Sequence, residues 1–388
     1  MQDIEQFTKK IKSLRRSALD NIGHTDYYHM RAIETLGRSL FVFGLFACYQ
    51  QWMLTSVLAL TFSLMVKWLL MHHIGHGGYD RIANIPRRYH SSHYAIGWRR
   101  YIDWFDWIKP EAWNHEHNHL HHYYTGEEQD PDLVERNLDW LAESRLPKII
   151  KLLVLAVFAA SWKFTYYSAR TLSCSAGNQP IHFGNFLDLR GKAQRVMWLE
   201  LFLPYLLLNF VLLPMALETL YAGFGWHFLW CRLAAELLHN VHTFIVIVPN
   251  HSGADIHRFD VIADGQRGGG HFYLRQIIGS ANYHTGNEIL DLCHMYLNYQ
   301  IEHHLFPNLS MLQYRRIQPQ VKALCAEFGI TYLQESVWVR LWKMLQIATG
   351  SQRMLRYSEH HPLPAPTHPP RESSGDERNA VALGQSAG

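Results

Sequence analysis

Histidine dominates the chemistry open to this chain. It supplies 26 of 388 residues, and imidazole is both the commonest metal ligand and the usual acid–base group near neutral pH. The histidines are grouped. In His72-His73-Ile74-Gly75-His76, residues 72 and 76 are four apart, so a helix sets both on one face. His115-Glu116-His117-Asn118-His119-Leu120-His121-His122 packs five imidazoles into eight residues. An apolar core would leave most of those ring nitrogens unpaired, at about 1–3 kcal/mol each, so a metal site is the better reading than a solvated face. Gln300-Ile301-Glu302-His303-His304 closes the series. Adjacent side chains on a helix diverge by about 100°, which suits two metals better than one chelate. Between these clusters lie His239, His242, Asn250 and His251 in a largely apolar run. A buried histidine satisfied by a neighbour is the bland reading there, but an ionisable group at membrane depth is a functional candidate.

Two metal chemistries compete. His115-Glu116-His117-Asn118-His119 satisfies HExxH, in which a zinc peptidase uses two histidines and a glutamate base. That reading needs one further ligand and leaves the first and third clusters without work. Iron fits better. The five cysteines are scattered without a CxxC pair, and imidazoles without thiolates suit Fe, Zn, Cu or Ni. About eight neutral imidazoles can hold two ferrous ions with positions open for O2, a centre able to attack an unactivated C–H bond.

The elements that position these residues are apolar helices. With 48% hydrophobic and 18% charged residues and a net charge of +3, the chain is neither disordered nor a nucleic-acid binder. Residues 40–70 are nearly uncharged and exceed one span of about 20 residues. They predict a hairpin of two short spans breaking near Tyr49-Gln50-Gln51, with one long tilted helix as the rival. Residues 148–167 and 198–216 are further apolar stretches, whereas 224–249, interrupted by Arg232, Glu236, His239 and His242, predicts a segment along the interface or lining a buried site. The expected fold is all-α, with about four membrane spans and a cytoplasmic helical cap carrying the histidines. A soluble helical bundle is the alternative that the mean hydropathy of −0.16 leaves open. Expected divisions are a basic N-terminal segment 1–37, a membrane domain 38–350 and a Pro-rich disordered tail 351–388. With the basic N-terminus cytoplasmic, as the positive-inside rule places it, the site lies on the cytoplasmic side of a bacterial inner or ER-type membrane. The basic connection 168–197 (Arg170, Arg190, Lys192, Arg195) would then be external, which suggests that the third stretch is interfacial.

The clusters resemble the three histidine boxes of the membrane fatty acid desaturases, most closely the front-end acyl and linoleoyl-CoA desaturase-like subgroup. His72–His76 is similar to the first box (HxxxH), and His117-Asn118-His119-Leu120-His121-His122 to the HNxxHH form of the second, with Asp130-Pro131-Asp132 downstream. Asn298-Tyr299-Gln300-Ile301-Glu302-His303-His304-Leu305-Phe306-Pro307 is similar to the third almost letter for letter. The resemblance covers about residues 38–335. It implies an O2-dependent acyl desaturase with a di-iron centre held by His72, His76, His117, His121, His122, His303, His304 and, from the fourth helical region, His242, with Gln300 near or on the metal. It leaves His73, His115, His119, His239, Asn250 and His251 to orient ligands or substitute for them. His73 replaces a frequent aspartate of the first box. No haem motif of a fused cytochrome b5 occurs, so a separate ferredoxin or cytochrome b5 with its reductase is the expected electron donor. A hydroxylase or acetylenase on the same centre, or a non-catalytic metal-binding membrane protein, are the remaining alternatives.

Overall fold

The computed structural model describes residues 2–175, 180–259 and 269–357. It is helical almost throughout, and five helices are long and apolar enough to cross a membrane. An amphipathic helix, α1 (Gln2–Asp20), precedes α2 (His24–Tyr49) and α3 (Met53–Gly75). The apolar stretch from residue 40 therefore forms two full helices by recruiting residues 24–39, and the boundary expected at residue 38 falls inside a continuous helix. The polar first half of α2 is possible because the cap covers it. Buried Asp26 accepts from the Ser310 hydroxyl and from Gln313 Nε2 at 3.2 Å. The break lies where it was expected, with Gln51 in the left-handed region (φ 60°). Small residues bring the two helices together: a Cβ on Gly37 would lie 2.5 Å from Val66, and one on Gly44 2.9 Å from Leu60.

After a His-rich segment come α4 (Lys148–Cys174), α5 (Lys192–Leu220) and α6 (Phe224–Ile247). Pro204 and Pro214 withhold backbone donors from α5, and wide turns over Val196–Phe202 and Leu208–Leu212 accommodate them. Glu218 closes the α5–α6 turn by accepting the amides of Gly223 at 2.7 Å and Gly225 at 2.9 Å.

The order of the ends corrects two expectations. Tyr49 packs its ring 5.6 Å from both Tyr221 and Phe224, so the α2–α3 and α5–α6 turns share one end of the molecule. The histidines occupy the other. Helices α2, α3, α5 and α6 run the whole way between these ends, so the segment 224–249 is a full-length helix and not one lying along a surface. Helix α4 begins and ends at the histidine end. Lys148 Nζ donates to Gln346 Oε1 at 3.0 Å, while at the other terminus Ser168 Oγ donates to Trp107 O at 2.7 Å and Tyr167 OH to Glu116 Oε2 at 3.3 Å. The basic connection after α4 thus lies on the same side as the histidines, which removes the objection its charge had raised.

The polar residues of α6 face inward onto charges. Lys163 of α4, 0% exposed, lies 3.1 Å from Asp106 Oδ2, 3.3 Å from Glu236 Oε1 and 3.1 Å from His239 Nδ1. Glu236 also accepts from Tyr205 OH and Trp107 Nε1, both at 2.7 Å. This network ties α4, α5, α6 and the loop around Asp106 together. Removing one member of such a buried set strands the others, at about 3–5 kcal/mol. Lys163→Ala is therefore expected to lower the melting temperature of the detergent-solubilised protein sharply, with part of the loss recovered when Asp106→Asn is added.

The cap is built from α7 (Gly270–Ile278), α8 (Gln300–Leu305), α9 (Met311–Glu327) and α10 (Val337–Ala348). Two short strands, β1 (His257–Phe259) and β2 (Leu355–Tyr357), pair in parallel. The chain expected to be disordered from residue 351 thus still packs as a strand at 355–357. Residues 358–388 of that expected tail lie outside the described residues.

Candidate metal centre

Three local structures aim the imidazoles. The last turn of α3 carries His72 and His73, and His76 caps it, with the rings of His72 and His76 4.8 Å apart. His115–His121 forms a π-helical turn, a wide turn that recurs at functional sites. It brings the rings of His117 and His121 to 5.2 Å and those of His117 and His122 to 4.9 Å. Helix α8 is entered through Met295 and Tyr296, both left-handed (φ 55° and 56°), a conformation costing bulky residues about 1–3 kcal/mol each. The Met295 carbonyl exposed by that turn lies 3.0 Å from His73 Nε2.

The ligand-capable atoms converge in two neighbouring sets. His72, His76, His117 and His303 place theirs within 4.8 Å of one another, as do His121, His251 and His304. His122 joins His303 and His304, and Asp132 joins His117 and His121. The His122 ring lies between the sets, 4.7 Å from His76 and 4.2 Å from His304.

These residues fit bound metal. Both ring nitrogens of His117 and of His122, Nε2 of His76 and Nε2 of His304 are buried without a hydrogen-bond partner, and such groups in a native interior call for a missing partner. Burial first, and neighbouring imidazoles second, hold His76, His117, His122, His303 and His304 well below the ordinary imidazole range. They are neutral electron-pair donors at pH 7. Four rings are anchored through Nδ1, which turns Nε2 toward the other imidazoles: His121 to Asp130 Oδ1 (2.9 Å), His251 to Gly279 O (3.0 Å), His303 to Tyr314 OH (3.2 Å) and His304 to Gln276 Oε1 (3.0 Å). Such outer partners fix ring orientation and raise ligand basicity. Burial alone would lower the His121 pKa, but Asp130, with Asp132, outweighs it and raises it. Asp130→Asn is expected to weaken metal binding about 10–100-fold, measured by competition with a chelator.

The structure does not bring every expected residue in. His242 is outside both sets and its Nε2 lies 2.7 Å from Cys293 O; His251, expected only as a substitute, takes the place on α6's extension. The α-helix that carries His242 ends at Ile247, and the tighter turn Val248–His251 sets the direction of His251. Gln300 places its Nε2 2.8 Å from His251 Nε2, beside that ring. Asn250 ties the end of α6 to the cap, donating to Val246 O and Leu297 O, each at 3.2 Å. His239 belongs to the Lys163 network. His115 and His119 join none of the converging sets among the described residues, and their rings are 5.9 Å apart. Glu116 is buried against Tyr167 and Asp132 instead. The HExxH match therefore has neither its ligand pair nor its base in place. Gln276, Tyr314 and Thr125, whose Oγ1 lies 3.2 Å from His304 Nδ1, carry no sequence signal; Asp130 and Asp132 do, as the Asp-Pro-Asp following the second cluster.

A cavity of about 480 Å³ leads away from the centre. His72, His117, His121 and Gln300 line one part of it, and Trp68, Leu155, Phe158, Trp162 and Phe244 make much of the remainder apolar. A long apolar slot meeting a polyhistidine centre suits an acyl chain.

Comparison with known sequences agrees. A sequence model of the fatty acid desaturases matches residues 49–336. The chain belongs to the fatty acid desaturase family. The NADPH-dependent stearoyl-CoA 9-desaturase of Mycobacterium tuberculosis is 24% identical over 380 residues, covering 91% of this chain and 82% of that protein. Fatty acid desaturase 3 of Bos taurus is 60% identical over 37 residues, 10% of this chain and 8% of its own. The sn-1 linoleoyl-lipid 6-desaturase of Synechocystis is 39% identical over 57 residues, 15% of this chain and 16% of its own. This desaturase is thus an oxidoreductase acting on fatty acyl chains, and its histidine clusters are those of a family that generally uses non-haem iron and O2.

Proposed function

We propose that this desaturase holds two non-haem irons, one by His72, His76, His117 and His303 and the other by His121, His251 and His304, with His122 between them. It is a multi-pass membrane protein whose centre faces the cytoplasm. The observation that carries the reading is the pair of converging imidazole sets at one end of an apolar cavity. When bound, iron supplies the activation of O2 that breaking an unactivated C–H bond requires. The protein's own side chains do the rest. The aromatic and aliphatic walls bind the chain at about 0.8 kcal/mol per methylene and exclude water. Asp130, Gly279, Tyr314 and Gln276 keep the ligand rings turned inward. One O2, two electrons and two protons enter; adjacent carbons lose one hydrogen each, a double bond forms and two waters leave. The electrons come from a separate ferredoxin or cytochrome b5 with its reductase.

The test is the lipid profile of cells expressing wild type against His303→Ala. Wild type is expected to yield acyl chains lighter by two hydrogens, and the variant none. Products that gain oxygen would instead establish a hydroxylase on the same centre, and a triple bond an acetylenase.

A further inference from the structure

We infer that the acyl chain enters from the side, out of the bilayer, and therefore that the substrate is a chain carried by a membrane phospholipid and not a water-borne thioester. This rests on the desaturase reading for what happens inside the cavity, but not for how the cavity is reached. The cavity that touches His72 and His117 also touches Trp140, Val157 and Phe183, which are 63%, 71% and 100% exposed. It is therefore open at that end, and the opening has an apolar rim.

The surface around it is apolar as well. Ile149, Leu153 and Val157 stand four apart on α4 and are all exposed, so they form one stripe along the helix. Beside the start of α4, α10 exposes Trp338 and Trp342, and the Lys148 ammonium lies 5.5 Å over the Trp342 ring. An apolar stripe edged by tryptophan and lysine is what a helix presents to the headgroup boundary. The opening thus lies on a lipid-facing surface.

Charge argues the same way. No lysine or arginine lines the cavity among the described residues. Lys151 Nζ is turned to Ala142 O at 2.7 Å and Arg136 to Asp130 O at 2.7 Å, while Arg353 pairs with Asp139 at 3.1 Å on the surface. A coenzyme A head carries several phosphate charges, and the described residues lining the cavity offer it none of the arginines that recognise phosphates. A phospholipid chain needs none, because its head stays at the membrane surface while the chain slides sideways.

The experiment reads occupancy rather than turnover. The full-length, iron-loaded protein is reconstituted in phosphatidylethanolamine–phosphatidylglycerol vesicles containing a trace phospholipid with a diazirine in its acyl chain. A parallel sample receives a diazirine-bearing stearoyl-CoA in the aqueous phase. The lipid probe is expected to label peptides spanning residues 154–166, undiminished by excess stearoyl-CoA. Val157→Trp, at an exposed position that folding tolerates, should cut labelling about tenfold, equal to about 1.4 kcal/mol. Labelling by the thioester probe in its place, competition by stearoyl-CoA, or labelling by neither probe overturns the proposal. Labelling as expected, with no chain in the vesicles losing hydrogen when electrons and O2 are supplied, leaves lateral entry standing and defeats the desaturase reading instead.

Discussion

His251→Ala is expected to abolish desaturation and to lose about half of the bound iron, whereas His242→Ala leaves both unchanged. The two residues sit on the same helical run, both near the third histidine cluster in space, and sequence spacing favours neither. Geometry separates them. His251 faces His121 and His304, with rings 5.0 Å and 4.3 Å away, and its Nδ1 is held by Gly279 O. His242 faces the carbonyl of Cys293. The set His121–His251–His304 has three imidazoles, and loss of one leaves a site that retains metal poorly. The four-imidazole set around His72 is untouched, so residual iron should remain. Metal analysis of purified variants checks the first half of the expectation and the lipid profile the second. Equal loss of iron in both variants would show that His242 reaches the centre and that α6 is turned from the orientation described.

The pairing of letters with structure was good where chemistry is local. The three boxes, the break at Gln51 and the inward-facing charges of α6 are all written in residue type and spacing. It failed where geometry depends on neighbours. The resemblance implies a ligand from the fourth helical region, and an ionisable residue in an apolar run favours His242 for that place. Lys163, Asp106 and Trp107 supply that polar stretch of α6 with partners on its other face, so its charges have a structural role that needs no metal. HExxH misleads because residues two apart on a helix lie about 200° apart, so His115 and His119 share the face opposite His117 and His121, and only the structure shows which face meets the other clusters. Helix α4 was ambiguous for another reason. Its 27 residues satisfy the length of a span, and the contacts of its two ends, both at the histidine end, agree with the interfacial reading that the basic connection suggests.

The metal-free protein should be acid-labile, and the sign follows from burial. His76, His117, His122, His303 and His304 are held well below the ordinary value of 6.5. Above pH 6.5 they are neutral both folded and unfolded, and contribute no pH dependence. Below it the unfolded chain takes up protons that the folded centre refuses, so stability is lost as pH falls. Each such histidine contributes at most about 1.4 kcal/mol per pH unit, reached only well below 6.5, against a typical total stability of about 5–15 kcal/mol. His121, whose pKa Asp130 raises, works in the opposite direction, but it is one against five. Asp130, lowered in turn chiefly by His121 against the effect of burial, adds a loss only below its ordinary value of 3.8. The melting temperature of apoprotein is therefore expected to fall steeply between pH 6.5 and 5.5 and to change little between pH 7 and 8. The same burial has a consequence for loading. Five ligands already neutral at pH 7 release no protons when iron binds. Titration in buffers of differing ionisation enthalpy should find no protons released by these five, where solvated histidines brought together only by the metal would add fractional protons from every ring. A flat stability profile with many protons released would mean that the imidazoles are not assembled before the metal arrives.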